Sequence, residues 1–218
     1  MNARRTKTPA AAAGTATAGR AEKKTAAASL PEDDLDAMIE AAWARLVRGA
    51  ADKRAAFNIC QVASIGAQGW PEQRSVVLRR ADPAERRIFF HTDRRSTKAA
   101  EIEADGRVSL HFWDPRARLQ LRLWGQARLL TEDPLADEEW SRLTSHGRQI
   151  YRTPLPPGRT IRTAEEGDGA VEEIGRAVFA AVPVNVMRLE WLHLRSAGHR
   201  RARFEPAAEG WQGRWLAP

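Results

Sequence analysis

The sequence predicts an antiparallel β-barrel with a few peripheral helices. Short apolar stretches recur through residues 57–130 and 178–216, and two alternate strictly. Val108, Leu110 and Phe112 share one side of the first, and Leu119, Leu121 and Leu123 share one side of the second. This is the period-two signature of a half-buried strand. Turn formers punctuate the stretches at residues 66–71, at Asp82-Pro83 and at Asp114-Pro115. Helical periodicity is confined to a few segments, too few and too badly placed for a doubly wound parallel sheet. At 218 residues, one domain with a real core is expected.

The elements follow in order. Pro31 with Glu32, Asp33 and Asp34 reads as a helix start, because acids complement the helix dipole. Leu35, Met38, Ile39, Ala42, Trp43, Leu46 and Val47 recur at helical spacing, and Gly49 reads as the end of the run. Residues 57–65, 74–79 and 87–92 read as strands, the first of them buried. Asp93 to Ser96 opens a short helix to about Ala104. Strands over 107–113 and 118–124 come next, and Gly125 permits a bend before the second continues to Leu130. Residues 134–147 read as helix, 153–170 as a long Pro/Gly-rich acidic loop, and 178–194 as one or two strands. Residues 198–204 and 210–216 close the chain as a hairpin-like pair.

Charge is unevenly placed. Of the formal +7, residues 1–29 supply +5, from Arg4, Arg5, Lys7, Arg20, Lys23 and Lys24 against Glu22. This stretch is Ala/Thr-rich and poor in large apolar residues, so it reads as a disordered basic tail ahead of one folded domain over 30–218. Its composition also suits an organellar transit peptide, although a cytoplasmic chain is the plainer expectation; no secretory h-region is present. The near-neutral remainder argues against a basic face for nucleic acid, which is not expected as a partner. No run approaches the ~20 apolar residues of a membrane helix, so no membrane partner is expected. The single cysteine, Cys60, excludes a disulfide framework and reads as a small core residue. The histidines lack metal-ligand spacing, and no metal is expected.

Three places carry candidate chemistry. Arg74 and Arg79 bracket one strand, Thr92 ends the next, and Ser96, Thr97 and Lys98 start a helix. Cations, hydroxyls and the free N–H groups of a helix start together suit a phosphate dianion. Spacing alone favours the plainer alternative, in which Ser96 caps the helix and the cations face solvent. Gln120 lies on the polar face of its strand with Arg118 and Arg122, where an amide can both donate and accept, or simply meet solvent. Trp191 and His193, followed by Gly198-His-Arg-Arg-Ala-Arg-Phe204, could shape a pocket for a planar ligand, or could be core packing and a basic hairpin.

Taken in order, Arg74-Ser-Val-Val-Leu-Arg79, Phe90-His-Thr-Asp-Arg-Arg-Ser-Thr-Lys98 and Gln120-Leu-Arg-Leu-Trp-Gly125 resemble the FMN-binding blocks of the pyridoxamine 5′-phosphate oxidases. The Trp211…Leu216-Ala-Pro218 ending is similar to that family's, and the Trp191–Phe204 segment resembles its Alr4036-like subgroup. The resemblance spans roughly residues 35–218. It implies a split-barrel homodimer with FMN in the groove between protomers. Arg74, Thr92, Ser96 and Lys98 would hold the FMN phosphate, with Ser75, His91 and Thr97 beside them. The Val76, Val77, Leu78 and Arg79 backbone would run along the ring, and Gln120 would face its polar edge. Trp191 and Arg203 would approach from the C-terminal region.

Departures from the family pattern accompany the matches. Arg79 stands for a lysine, His91 for a tyrosine and Thr97 for an arginine. The family's substrate-binding Arg-x-His pair falls on His199 and Arg201 in reversed order, and its phosphate-gripping Tyr, Arg and Ser have only the mis-spaced Arg148 and Tyr151 nearby. Arg79, His199 and Arg201 are the substrate candidates. The resemblance therefore implies an FMN-dependent oxidoreductase, passing a hydride from a small substrate such as an amine to flavin N5, with reoxidation by O₂ or another acceptor. The flavin carries the chemistry, and no catalytic side chain is assigned. The alternatives are a non-catalytic flavin-binding or sensing protein, and a split-barrel protein using F420 or haem.

Overall fold

The structure, a computed structural model, describes Met1, residues 30–171 and residues 174–218; the tail expected over 1–29 lies, apart from Met1, outside them. Helix α1 (Leu35–Ala51) starts at Asp34, whose carboxylate accepts from the N–H groups of Asp36 and Ala37. Met38, Ala42 and Leu46, spaced four residues apart, are wholly buried. Gly49 does not end this helix, which continues to Ala51. Its role is closeness: a Cβ there would lie 2.7 Å from the Phe57 carbonyl oxygen, in the 3-10 turn Ala56–Asn58 that follows.

Strands β1 (Ile59–Ile65) and β2 (Pro71–Val77) form an antiparallel hairpin. A short β3 (Arg80–Asp82), which periodicity does not reveal, precedes β4 (Arg87–Asp93), helix α2 (Thr97–Ala104), β5 (Arg107–Asp114) and β6 (Leu119–Ala127). The single helix expected over 134–147 is two, α3 (Pro134–Ser141) and α4 (Ser145–Gln149), because Thr144 adopts an extended conformation and caps the second. A four-residue helix α5 (Gly175–Val178) leads into β7 (Phe179–His193), one long strand, and β8 (Arg200–Pro206) and β9 (Trp211–Leu216) close the chain. Among the described residues no helix is long and apolar enough to cross a membrane.

All the strand pairs are antiparallel, in the order β2-β1-β5-β6-β7-β4-β3. Strand β7 forks the sheet. One of its edges pairs with β6; the other pairs with β4 through residues 179–185 and with β8 through residues 189–193. At Gly125 the β6–β7 register shifts, and a Cβ there would lie 2.3 Å from the Asn185 carbonyl oxygen, so only glycine admits the bend. The segment after β2 bridges two elements: the Leu78 N–H donates to the Asn58 carbonyl ahead of β1 and the Arg79 N–H to the Phe89 carbonyl of β4.

Alternation sorts the sheet into two faces. Cys60, Val62, Leu110, Phe112, Leu119, Leu121, Leu123, Leu189, Trp191, Ala202 and Phe204 line the interior, under α1. Burial drives the Cys60 thiol up to about 12, consistent with a core role. Trp191 is 0% exposed and points into this core, so it cannot line a ligand groove outside the barrel. Its register neighbours Glu190 and Leu192 take the outward side, since adjacent strand residues face opposite ways. Trp191→Ala is expected to cost about 3–5 kcal/mol in denaturant unfolding, as a large buried truncation does. Trp191→Phe, which also removes an indole N–H buried without a partner, should cost well under half as much.

Candidate functional site

The site begins with α2. Lys98 and Glu101 are three residues apart, hence on one face of the helix. That face meets Ser64 on β1, Arg74 on β2 and Thr92 at the end of β4. Arg74 and Ser64 are near-opposite on the interior side of the β1–β2 ladder, where Val62 pairs with Arg74 and Ser64 with Glu72. Glu101 Oε2 accepts from Ser64 Oγ at 2.6 Å and from Arg74 Nη2 at 2.8 Å, while Arg74 Nη1 donates to Ser64 Oγ. Lys98 Nζ donates to Thr92 Oγ1 at 2.5 Å, and Thr92 Oγ1 lies 3.1 Å from Ser96 Oγ. Ser96 also caps α2, accepting from the Ala99 N–H at 3.3 Å. Cap and pocket, alternatives in the sequence, are the same residue.

The electrostatics of this cluster are one-sided. Glu101, 5% exposed, neutralises Arg74. Lys98 forms no ion pair among the described residues and spends one of three donors, on Thr92. Burial, with help from the Arg74 guanidinium, pulls its ammonium down to about 8, against the opposing pull of Asp93 and Glu101. Two cations against one close carboxylate leave a surplus of positive charge among three hydroxyls, a donor set that fits a phosphate or another compact anion. Sequence reasoning missed Ser64 and Glu101. The available signal was a polar residue at an interior position of β1, and an acid three residues after Lys98.

The other candidates are distributed as follows. Ser75 and Val77 lie on the outward face opposite Gln61 and Ile59, while Val76 and Leu78 are in the core. The amides of Leu78 and Arg79 are already engaged, so neither is left to donate to a ligand there. The Arg79 guanidinium makes no hydrogen bond or ion pair among the described residues; its charge is felt by His91 and Tyr151. Thr97 is exposed.

His91 turns away from the pocket, the structure's correction to its expected place beside Thr92. Its Nε2 lies 3.0 Å from Glu139 Oε2 beneath α3, and its ring meets Phe179 edge-on. Burial holds the imidazole below its ordinary value despite Glu139, and Nε2–H donates to the carboxylate. For Glu139, burial pushes upward but the His91 hydrogen bond and charge outweigh it, and the carboxyl is lowered.

Gln120 sits on the outward face of β6 with Arg122 and Trp124, three strands from β2, roughly 14 Å. No single chain brings it to Lys98. Arg201 and Arg203 flank Glu190 there: Arg201 Nη2 lies 2.9 Å from Glu190 Oε2, and Arg203 Nη2 lies 2.8 Å from Glu190 Oε1. Burial pushes the Glu190 carboxyl upward, but these two hydrogen bonds prevail and lower it. The guanidinium carbons of Arg188 and Arg122 stand 3.8 and 4.5 Å from the Trp124 ring centroid, completing a cationic patch of which spacing did not signal Arg188. His199 lies apart, its Nδ1 accepting from the Arg195 N–H at 3.1 Å. A surface cavity of about 640 Å³ opens elsewhere, by Arg94, Asp133, Asp137 and Arg176. Its arginines are paired with Glu132 and Asp137, so it has no comparable surplus charge.

A family model for pyridoxamine 5′-phosphate oxidase matches residues 46–170. The chain belongs to the pyridoxamine 5′-phosphate oxidase family. It is similar to the pyridoxine/pyridoxamine 5′-phosphate oxidase of Shewanella sp. (strain W3-18-1), 38% identical over 48% of this chain and 46% of that protein. To the enzyme of the same name from Alkalilimnicola ehrlichii it is 29% identical, over 73% of this chain and 85% of that one. The match thus spans about half the length of the first of these oxidases. Among solved structures, a pyridoxamine 5′-phosphate oxidase-related, FMN-binding protein from Nostoc punctiforme superposes with a TM-score of 0.69 at 21% identity, over 82% of this chain and 96% of that one. PhzG from Burkholderia lata 383 gives 0.56 at 18%, over 84% and 90%. These likenesses establish the split-barrel fold of the oxidase family for this chain.

The Lys98 amine makes stability pH-dependent. The folded chain binds this proton less tightly than the unfolded one, so burial costs stability below about pH 8. That cost is relieved as pH rises from about 8 toward 10.5. Lys98→Met is expected to stabilise the ligand-free protein by on the order of 2 kcal/mol near pH 7, and by progressively less above pH 8. Denaturant unfolding across pH checks this; no gain near pH 7 would contradict an uncompensated buried charge.

Proposed function

We propose that this protein is an FMN-dependent oxidoreductase whose cofactor phosphate is held by Lys98, Arg74, Thr92 and Ser96. The observation that carries the reading is the Lys98 ammonium, half-buried, with two donors unused and no carboxylate in ion-pair contact among the described residues. A dianion there would supply the missing counter-charge and raise the amine back toward its ordinary value. Ser64 and Glu101 hold the Arg74 guanidinium beneath the pocket. When bound, the flavin would accept a hydride from a small substrate such as an amine. The protein's part is to hold the phosphate, cover the ring and present polar groups to its edge.

The geometry also favours a homodimer. Gln120 and the Lys98 pocket lie on different faces of the sheet, so both can touch one cofactor only if Gln120 comes from a second copy. The outward face that would meet that copy exposes Ile59, Ile65 and Trp113, the kind of apolar surface association covers.

A second reading, flavin binding without turnover, has its own support. Arg201 is bound to Glu190, and His199 is engaged by the Arg195 backbone, so the substrate candidates on the C-terminal hairpin are occupied internally. Anaerobic addition of pyridoxamine phosphate or other amines separates the two: bleaching of the flavin bands supports the oxidoreductase, and unchanged bands with every amine support a binding protein.

The purified protein is expected to carry FMN, read by absorbance and by mass after denaturation. Arg74→Ala and Lys98→Ala should each weaken FMN binding at least about tenfold, as loss of a charge-assisted contact to phosphate does. Retention like that of the unaltered protein in both variants would refute the assignment.

A further inference from the structure

Strand β5 carries a histidine that no part of the phosphate pocket uses. His111 lies on the outward face, in register with Gln61 of β1 on one side and Arg122 of β6 on the other. Its ring spans the three strands. Nδ1 is 3.2 Å from Gln61 Oε1, and Nε2 is 3.1 Å from Gln120 Oε1. Both contacts are partly buried, and the same face of β1 offers only Ile59, Ala63 and Ile65 besides Gln61. The charged group beside the ring is Arg122, on β6, which inclines toward Trp124 and Glu190; no carboxylate from β1 or β6 faces the imidazole.

The hydrogen bookkeeping of this triad is restrictive. A neutral imidazole has one N–H and one bare nitrogen, and a primary amide has a donor end and an acceptor end. Whichever end of Gln120 meets His111 is consumed, and the opposite end is turned outward. With Nε2–H donating to the Gln120 oxygen, the amide NH₂ is left free. Gln61 closes the far side of the ring, through its oxygen if the ring is charged or through its NH₂ if it is neutral, and so keeps the imidazole from swinging.

We propose that His111 is the positioning residue that aims Gln120, holding its amide oxygen so that the NH₂ is presented to the carbonyl-bearing edge of a bound isoalloxazine. This rests on the FMN reading above and adds to it a residue outside the phosphate pocket, with the polarity of the contact it sets. Deleting the imidazole would leave Gln120 in place but free to turn either end outward.

The test uses His111→Phe, which keeps a ring and loses both nitrogens, with Gln120→Ala and the double variant. In the full-length protein, His111→Phe is expected to weaken FMN binding about tenfold and to shift the visible flavin bands. Introduced into Gln120→Ala, the same change should alter affinity by less than about twofold, because its effect runs through Gln120. Effects of the two changes that multiply in the double variant, or bands and affinity that His111→Phe leaves unmoved, would overturn the proposal. The side-chain amide signal of Gln120, followed by NMR in ligand-free protein, decides the contact independently of flavin. It should move in His111→Phe, and a signal that stays put would overturn the positioning role. If the unaltered protein takes up no FMN, the cofactor reading falls, and the amide signal alone then judges the His111–Gln120 contact.

Discussion

A half-buried ammonium with no carboxylate in ion-pair contact among the described residues is the constraint around which this end of the barrel is organised. Taking the Lys98 amine out of water is unfavourable, and a single hydroxyl partner does not offset that. The chain tolerates the arrangement because everything around it is fixed by other demands. Ser96 must cap α2, Thr92 is held near the end of the β4–β7 ladder, and Glu101 must neutralise Arg74. On the proposed reading the result is a preorganised anion site, with a local cost in stability that a bound anion would remove.

The fork at β7 explains why the ligand-facing groups are divided. Its first half joins β4, and so the Lys98 cluster; its second half joins β8, and so the guanidinium patch around Glu190. The two halves belong to one strand but serve different faces. Gln120 and His111 lie between them, on β6 and β5. A groove closed by a second copy would unite what the single chain keeps apart, which is why dimerisation and cofactor binding are one question in this architecture.

Much of the fold was legible. Strict alternation at Val108–Phe112 and Leu119–Leu123 announces strands with one wet face, and they pair as β5 and β6. The clustering of Thr92, Ser96 and Lys98 was legible too, because they are close in sequence and a helix start holds them together. What stayed hidden depends on long-range packing. Over residues 179–184 both faces of β7 are buried, so alternation is silent there and cannot signal that Trp191 points inward. His91 faced a similar ambiguity, since β4 is covered on both sides and only α3 decides which one takes the imidazole. Glu101 meets Arg74 from 27 residues away and Ser64 from 37, and no local pattern joins the three. Helices α3 and α4 read as one because the break at Thr144 is a cap rather than a proline or glycine.

Direct titration of the Lys98 side chain by NMR, in ligand-free and FMN-saturated protein, tests the central claim most closely. The account requires a midpoint of about 8 without ligand and a clear rise toward the ordinary lysine value when the phosphate is in place. An amine that titrates near 10.5 in both states would show that Lys98 lies in water, and that the pocket described here is not the anion site.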